Sequence, residues 1–283
     1  MSDWLRPWQN NSHVAPFNHR SSLPYWILAR ELEAMADVRL LNCALSRANV
    51  THTSVLELGC ATGEMCRYLE RKYRFLRYTG IDISEPAIKL ARTRYPYNNF
   101  STQIEGHKSR FDVIYSRDVL HHQPSPDKFL RHMFGFANHA VVFRCRTRDH
   151  GATVYDPQQS CQYQYDGFVP YIVSNTSELT ELIRSIVPTA TILMHQNYQI
   201  LGGRNNRHLP HDCYKPETET AETSVLVMLE GSGLVGQKVA DEFMRGPGDE
   251  QVRYRPHDYL YLGVRKLLRT LNRRIYTVKS KGK

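Results

Sequence analysis

The sequence predicts an α/β protein with a doubly wound, mostly parallel sheet and an antiparallel last strand. Three observations support this fold class. Short apolar runs alternate with helical patterns from Ser54 onwards, a glycine turn follows the first run, and a polar loop, residues 196–222, joins the last two. A parallel return would need a crossover connection, whereas a loop suffices when the last strand enters antiparallel. Helices are therefore expected on both faces of the sheet.

The chain divides into three predicted parts. Residues 1–24 are rich in Asn, His, Pro and Ser and predict an irregular N-terminal arm. Residues 25–235 form the predicted domain, which has a helical N-terminal extension and insertions at about 146–174 and 196–222. Residues 236–283 form a basic, partly amphipathic segment.

The elements of the domain follow from apolar runs and helical periodicity. Residues 24–47 show helical spacing and predict one or two helices. Predicted strands then lie at 54–58, 78–82, 100–104, 111–116, 139–145, 190–195 and 223–231. Predicted helices lie at 64–73, 85–95, 126–136 and 176–186.

The basic charge is concentrated at the C-terminus. The formal net charge is +9, and residues 251–283 hold ten Lys or Arg residues against the single acid Asp258, so the rest of the chain is neutral overall. The body of the protein therefore lacks nucleic-acid character. Apolar residues from Leu260 to Ile275 form one helical stripe. This pattern fits a helix on an anionic membrane surface, a segment that binds RNA phosphates, or a stripe that packs on the domain.

The cysteines and the N-terminus indicate the compartment. The six cysteines form no C-x-x-C pair, and the first 20 residues lack the apolar core of a secretory signal. No stretch approaches the roughly 18 apolar residues of a membrane span. We expect a cytoplasmic protein, peripheral to the inner face of a membrane if the basic segment binds lipid. No H-x-x-x-H spacing occurs, so no metal site is expected.

A glycine turn lies within the stretch SVLELGCATGEMCRYL, residues 54–69. Gly59 and Gly63 follow the first strand of the predicted sheet, which is the favoured place for a ligand. Glycine permits positive φ and close approach, and the following helix N-terminus favours an anionic group. The spacing departs from G-x-G-x-x-G and disfavours NAD. Asp82 ends the second strand, 19 residues after Gly63, where an acid accepts ribose hydroxyls.

These residues resemble the motifs of class I (Rossmann-like) S-adenosylmethionine-dependent methyltransferases. ELGCATG is similar to their first motif, YTGIDIS to the second, and FDVIYSRDVLHHQPSP to the fourth strand and the helix after it, over roughly residues 52–145. The resemblance implies S-adenosylmethionine as cofactor. The residues that it implies at the cofactor are Glu57, Gly59 and Gly63 around the methionine part, Asp82 at the ribose and Ile83 on the adenine, with Cys60 and Ser116 beside them.

One contact of the family has no assigned counterpart. Its members commonly place an acid after the third strand to hold the adenine amino group. In this chain Gln103 and Glu105 are the only obvious candidates in that region.

The candidate catalytic residues follow the fourth strand, and they are Asp118, His121 and His122. A histidine, whose unperturbed pKa is about 6.5, can take a proton from an acceptor hydroxyl at neutral pH. Two adjacent histidines cannot both point into one cleft, so the sequence leaves open which of them meets the acceptor. The alternative is that the pair caps or packs the following helix.

The absence of two motifs disfavours two classes of methyl acceptor, the amines of nucleic-acid bases and cytosine C5. The Asn/Asp-Pro-Pro-aromatic motif of base-amine methyltransferases is replaced by residues 116–119, SRDV, and the Pro-Cys of cytosine-C5 enzymes is absent. The insertion after the fifth strand carries aromatic residues that suit sugar rings or other flat acceptors, or that pack as a lid: Tyr155, Tyr163, Tyr165, Phe168 and Tyr171. Part of it, GFVPYIVSNTSELTELI, is weakly similar to methyltransferases of bacterial surface-polysaccharide clusters.

The sequence therefore predicts a methyltransferase, monomeric or homodimeric, that uses S-adenosylmethionine. We expect it to methylate a hydroxyl, with an amine less favoured, of a small molecule or surface glycan. Two alternatives stay open: an RNA methyltransferase that uses the basic tail, and a catalytically inactive, cofactor-binding partner subunit. Fold alone does not name the acceptor.

Overall fold

Strands and helices alternate along the chain as the apolar periodicity predicts, and they build a large sheet with helices on both faces. The structure is a computed structural model, and it describes residues 3–9, 23–47, 53–103, 110–164, 167–198, 207–214, 220–231 and 257. The predicted C-terminal segment, 236–283, lies outside the described residues except for His257.

The helices follow the predicted periods closely. A 3₁₀ turn, Asp3–Leu5, leads into α1 (Arg6–Gln9), and the helical extension consists of two helices. The helices are α2 (Tyr25–Glu33), α3 (Ala36–Arg47), α4 (Glu64–Lys72), α5 (Glu85–Arg94), α6 (Pro126–Phe136) and α7 (Thr176–Ile186). Side-chain caps fix two of the starts: the Ser84 hydroxyl caps α5 and the Asn175 amide oxygen caps α7.

Within the described residues, the large sheet has eight strands. Its strands are β1 (Ser54–Leu58), β2 (Arg77–Ile81), β3 (Asn99–Ser101), β4 (Phe111–Arg117), β5 (Ala137–Arg148), β8 (Ser174–Asn175), β9 (Thr191–Asn197) and β11 (Thr220–Met228). The order is β3-β2-β1-β4-β5-β11-β9, with β8 paired to the end of β5. Strands β1 to β5 pair in parallel, whereas β11 pairs antiparallel with both β5 and β9. The predicted fold class is confirmed.

Two apolar clusters sandwich the sheet. One joins the sheet to helices α2 to α5, and it includes Leu41 and Tyr115. The other lies on the opposite face against α6 and α7, and it includes Leu130 and Ile183. Because both faces of the parallel strands are covered, the central strands are mostly apolar.

A small second sheet differs from the sequence prediction. The two predicted insertions come together as a three-stranded antiparallel sheet, in the order β10 (Arg207–His208), β6 (Cys161–Gln164) and β7 (Gly167–Pro170). The N-terminal arm also differs, because residues 3–9 are helical and pack against β7. Residues 10–22 of that arm lie outside the described ranges.

The six cysteines lie inside the domain. All of them are buried and free of disulfide bonds. Within the ranges that the structure covers, no helix is both long enough and apolar enough to cross a bilayer.

Candidate active site

The strand order reverses between β1 and β4, and the carboxyl ends of these strands frame the site. The turn after β1 is hydrogen-bonded to the end of β2. The N–H groups of Gly59 and Cys60 both donate to the carbonyl oxygen of Ile81, at 2.7 and 3.0 Å. Gly59 has a φ of +84°, and a Cβ added there would overlap the Cγ2 of Val119. Only glycine therefore fits this position without strain.

Asp82 ties the turn to the end of β2. One carboxylate oxygen accepts a hydrogen bond from the N–H of Ala61 at 2.9 Å, and the other accepts from the N–H of Ser84 at 2.9 Å. Ala61 itself has a φ of +47°, a strained value for a non-glycine residue. The carboxylate thus shapes the turn as well as facing the space above it.

A cavity of about 780 Å³ opens over this turn. Its walls come from the β1 turn, the residues after β2, the residues after β4, the small sheet and the N-terminal turn. The volume falls in the usual range of small-molecule sites, roughly 300–1,000 Å³.

Most of the predicted site residues line this cavity. They are Glu57, Gly59, Cys60, Asp82, Ile83, Asp118, His121 and His122. Gly63 and Ser116 lie behind the wall. Gly63 begins α4, where a Cβ would press on Tyr95, and the Ser116 hydroxyl donates to the Leu58 carbonyl oxygen at 3.0 Å. These two residues support the turn through its packing.

Glu57 lies near the end of β1 in a buried environment. Its side chain is buried, and the hydroxyl of Tyr78 donates a hydrogen bond to it. Burial raises the pKa of Glu57 to about 8, so the carboxyl is mostly protonated at neutral pH. A cationic group bound beside Glu57 would lower this pKa, and the carboxyl would then lose its proton.

Asp118 follows β4 in a left-handed conformation, with a φ of +56°. The Arg144 guanidinium holds its carboxylate through a hydrogen bond from each of two nitrogens, and Arg146 lies 3.6 Å away. Burial alone would raise the pKa of Asp118, but the two arginines hold it well below its usual range. Asp118 is therefore an anion at neutral pH and a poor proton acceptor.

His122 is held by the small sheet. Its Nδ1 lies 2.7 Å from the carbonyl oxygen of Pro170, and its ring packs on Trp8 at a centroid distance of 4.8 Å. Because a carbonyl oxygen only accepts, Nδ1 carries the proton and Nε2 carries the lone pair. Burial lowers the pKa of His122 to about 4, against the opposing effect of the Pro170 hydrogen bond, so the ring is neutral.

His121 stacks beside it, with ring centroids 4.2 Å apart. Its Nδ1 is buried and has no hydrogen-bond partner among the residues that the structure describes. Burial, together with the neighbouring His122 and Arg146, lowers the pKa of His121 well below 6.5. Both predicted histidines thus line one cavity, which the sequence argument did not expect.

An ion network crosses the floor of the cavity. It consists of Asp37, Arg117, Asp118, Arg144, Arg146 and Glu222. Arg144 bridges Asp118 to Glu222, at 3.1 Å from the latter, and Arg146 also donates to the Tyr171 hydroxyl at 3.0 Å. The three arginines and three acids balance in charge, so the network is compatible with burial.

Several cavity residues escaped the sequence analysis. Trp8 and Leu5 reach the cavity from the N-terminal arm, while Arg117, Arg144 and Arg146 come from strand ends. The arginines carried a usable signal, since R-x-R at the end of the fifth apolar run places two cations at the carboxyl edge of the sheet. Trp8 carried none, because its partner His122 is distant in sequence.

The aromatic residues of the predicted insertion do not all line the cavity, and no residue is assigned to the adenine amino group. Tyr171 is buried and lines the cavity, whereas Tyr155, Tyr163 and Phe168 are about half exposed and lie elsewhere. Tyr165 and Glu105 lie outside the described ranges. Thr102 reaches the cavity wall beside the exposed Gln103, so the adenine amino contact stays unassigned.

In the part of the chain that the structure covers, no group of three or more His, Cys, Asp or Glu side chains is arranged to hold a metal ion.

Comparison with known proteins places the chain in a family. The methyltransferase domain family matches residues 28–183. A fatty-acid O-methyltransferase of Mycolicibacterium smegmatis is 27% identical over 99 residues, and the match covers 33% of this chain and 36% of that protein. The chain therefore spans about a third of the length of this curated relative.

Two solved structures share the fold. Magnesium protoporphyrin IX methyltransferase from Synechocystis PCC 6803, crystallised with S-adenosylmethionine, has a TM-score of 0.50 at 12% identity and covers 80% of this chain and 97% of its own. The O-methyltransferase of a Brevibacillus brevis trans-AT polyketide multienzyme, crystallised with S-adenosylhomocysteine, has a TM-score of 0.50 at 11% identity and covers 71% and 75%. At these identities the likeness concerns the fold alone.

The family match carries the conclusion, because it extends over more than half of the chain and includes the glycine turn, Asp82 and the residues after β4. The protein belongs to the methyltransferase domain family, and the predicted resemblance to class I S-adenosylmethionine-dependent methyltransferases is confirmed.

Proposed function

We propose that this chain methylates a hydroxyl oxygen of a small molecule or glycan. The observation that carries the proposal is the His122 ring, which lines the cavity with Nδ1 committed to Pro170 and Nε2 left as acceptor. A hydroxyl must lose its proton as it forms a bond to the methyl group. A neutral imidazole fixed beside it accepts that proton.

The cavity fits the cofactor at the turn after β1. When bound, S-adenosylmethionine supplies a methyl group activated by its sulfonium. Glu57 and the Gly59 turn would hold the methionine part, and Asp82 would accept the ribose hydroxyls in addition to its two backbone bonds. Ile83 is 39% exposed at the cavity edge, which suits an apolar face against adenine.

Asp118 and His121 would support His122. Asp118 is anionic and stabilises the positive charge that His122 gains when it takes a proton, because an opposite charge nearby favours the charged form. The His121 ring packs against it at a centroid distance of 4.2 Å, with the ring planes tilted by 47°, and restricts its orientation. In this proposal His122 is the base, and the other two residues position it.

An amine acceptor is disfavoured by the charges on the cavity wall. Arg144, Arg146 and Arg207 line the cavity, and the acids Asp118 and Glu222 are already paired with arginines. An ammonium group would find no uncommitted carboxylate among these groups, because Asp118 and Glu222 already balance the charge of the arginines. A neutral hydroxyl carries no such penalty.

A carboxylate oxygen is the second candidate acceptor. Arg207 lies over the Tyr171 ring at 4.8 Å on the cavity wall, where it can attract an anion. The partial match to a protein named as a fatty-acid O-methyltransferase points the same way. A carboxylate is already ionised at neutral pH, so its methylation needs no base.

A matched acceptor panel separates these functions. The panel holds one carbon skeleton with a hydroxyl, an amine or a carboxylate, together with simple glycosides, and mass spectrometry follows methylated product and S-adenosylhomocysteine. We expect product from a hydroxyl, and His122→Asn, which can still donate to Pro170, lowers its rate by about 10²-fold or more. Carboxylate methylation indifferent to His122→Asn would establish the second candidate, and amine methylation alone would contradict both.

A further inference from the structure

The Arg117 guanidinium has donor groups that its hydrogen bond to Asp37 does not use. It ends β4 with its side chain only 13% exposed, and its Nε donates to the Asp37 carboxylate at 2.8 Å. Its two terminal nitrogens make no hydrogen bond to any residue that the structure describes, and one of them is fully buried. A buried guanidinium N–H without an acceptor costs free energy. The exposed part of the guanidinium lines the cavity, where an anionic ligand can accept hydrogen bonds from it.

Glu57 lies on the same face of the sheet. In the parallel pairing of β1 and β4, Glu57 lies opposite Tyr115, and side chains two residues apart on a strand share a face. Arg117 and Glu57 are therefore neighbours on one face, both line the cavity, and the charge of Arg117 influences Glu57. An acid and a guanidinium stand side by side at the start of the glycine turn.

The two groups match a zwitterion. Glu57 suits an ammonium group, since a cation beside it would stabilise its ionised form. Arg117 suits a carboxylate, because a guanidinium offers a fork of parallel donors that a lysine lacks. Asp37 holds Nε and so fixes the direction of the remaining donors.

We propose that Arg117 binds the α-carboxylate of the cofactor's methionine part while Glu57 receives its ammonium group. The inference requires S-adenosylmethionine as cofactor, but it does not depend on the acceptor proposed above. It makes Arg117 a cofactor-binding residue that the motif resemblance did not supply, and it explains why a buried arginine with unused donors ends the fourth strand.

The test compares two ligands that differ only in the carboxylate. Calorimetry measures binding of S-adenosylhomocysteine and of its decarboxylated analogue, S-adenosyl-3-thiopropylamine, to the full chain and to the variants Arg117→Lys and Arg117→Met. We expect both variants to bind S-adenosylhomocysteine about tenfold or more weakly, through loss of the charge-assisted bonds. Binding of the analogue should change less than twofold, which also shows that the variants are folded.

An arginine outside the cavity is the control. The Arg92 guanidinium donates to the Phe100 carbonyl oxygen and does not line the cavity, so Arg92→Lys should keep the wild-type preference for S-adenosylhomocysteine over the analogue. An equal loss of both ligands in the Arg117 variants, or no loss of either, would overturn the assignment. Binding of neither ligand by the wild-type chain would instead refute the cofactor itself, and the inference with it.

Discussion

The Nδ1–H of His122 donates a hydrogen bond to the carbonyl oxygen of Pro170 at 2.7 Å, and this bond joins the turn after β4 to the last residue of β7. The backbone reinforces the junction, because the N–H of Ile172 donates to the carbonyl oxygen of His121 at 2.8 Å. The small sheet therefore does more than cover the cavity. It also holds the tautomer of the histidine that we propose as the base.

The first prediction concerns that tautomer. We expect long-range ¹H–¹⁵N correlation spectra at pH 7 to show His122 as the neutral Nδ1–H form, with no titration until the pH approaches 4, because burial lowers its pKa to about that value. His122→Asn identifies the signal. An Nε2–H tautomer, or a titration midpoint near 6.5, would contradict the geometry.

Acid sensitivity follows from the same shift. The folded pKa of His122 lies below the unfolded value of about 6.5, so the unfolded chain binds the extra proton as the pH falls. This histidine's contribution to stability is thus complete above pH 6.5 and is lost between about 6.5 and 4. We expect His122→Asn to flatten the denaturant midpoint against pH in that window, relative to wild type. A parallel curve would show that the ring is solvated.

Asp82→Ala tests the ribose contact. Loss of the carboxylate removes the acceptor of the Ala61 and Ser84 N–H groups and of the ribose hydroxyls, so we expect binding of S-adenosylhomocysteine to weaken by about 1–3 kcal/mol in calorimetry. Asp112→Asn is the control, because that carboxylate accepts from Ser54 at the opposite end of the sheet. Unchanged affinity in Asp82→Ala would refute the assignment.

Much of this site was within reach of the sequence because it is local. The turn, its glycine with positive φ and the acid that ends β2 lie within 26 residues, from Glu57 to Asp82, and chain topology brings parallel strand ends together. Apolar runs and helical periods likewise predicted the central elements, since burial on both faces requires them. Motif spacing and apolar periodicity along the chain are therefore enough to predict these features.

Glu57→Gln tests the raised pKa of the acid beside the methionine part. At pH 7 the buried carboxyl holds its proton, because burial raises its pKa to about 8, and a bound ammonium group would release it. We expect calorimetry in buffers of different ionisation enthalpy to detect about one proton released per cofactor bound. Glu57→Gln should abolish the release and weaken binding. Release that persists in the variant would point to another group.

Gly59→Ala tests the turn itself. The φ of +84° disfavours any side chain, and the new Cβ would overlap Val119, so we expect lower stability and loss of cofactor binding. Gly135→Ala is matched to it, since Gly135 lies in α6 with open space around its Cα, and the change should raise stability by about 0.4–1 kcal/mol. Thermal unfolding and calorimetry report both effects. Normal cofactor binding by Gly59→Ala would contradict this prediction and show that the turn can adjust to a side chain.

The roof of the cavity lay beyond sequence reasoning for a physical reason. Trp8 meets His122 across more than a hundred residues, and Arg146 meets Glu222 across 76. Such contacts are set by how an insertion and an arm fold back over the sheet, which no local period encodes. The hydroxyl of Ser116, which is predicted beside the cofactor, donates to the Leu58 carbonyl oxygen between two strands, a contact that the motif spacing does not reveal.

The last prediction concerns the basic segment, residues 251–283, where the chain's net charge is concentrated. If it binds anionic lipid through charge and an apolar stripe, its deletion should abolish sedimentation with anionic liposomes and leave the affinity for S-adenosylhomocysteine unchanged. Neutral liposomes are the control, and high salt should release the full-length chain. Retention of RNA that disappears on deletion would instead favour the RNA alternative. If the full-length protein binds neither liposomes nor RNA, the basic charges serve only to keep the segment solvated.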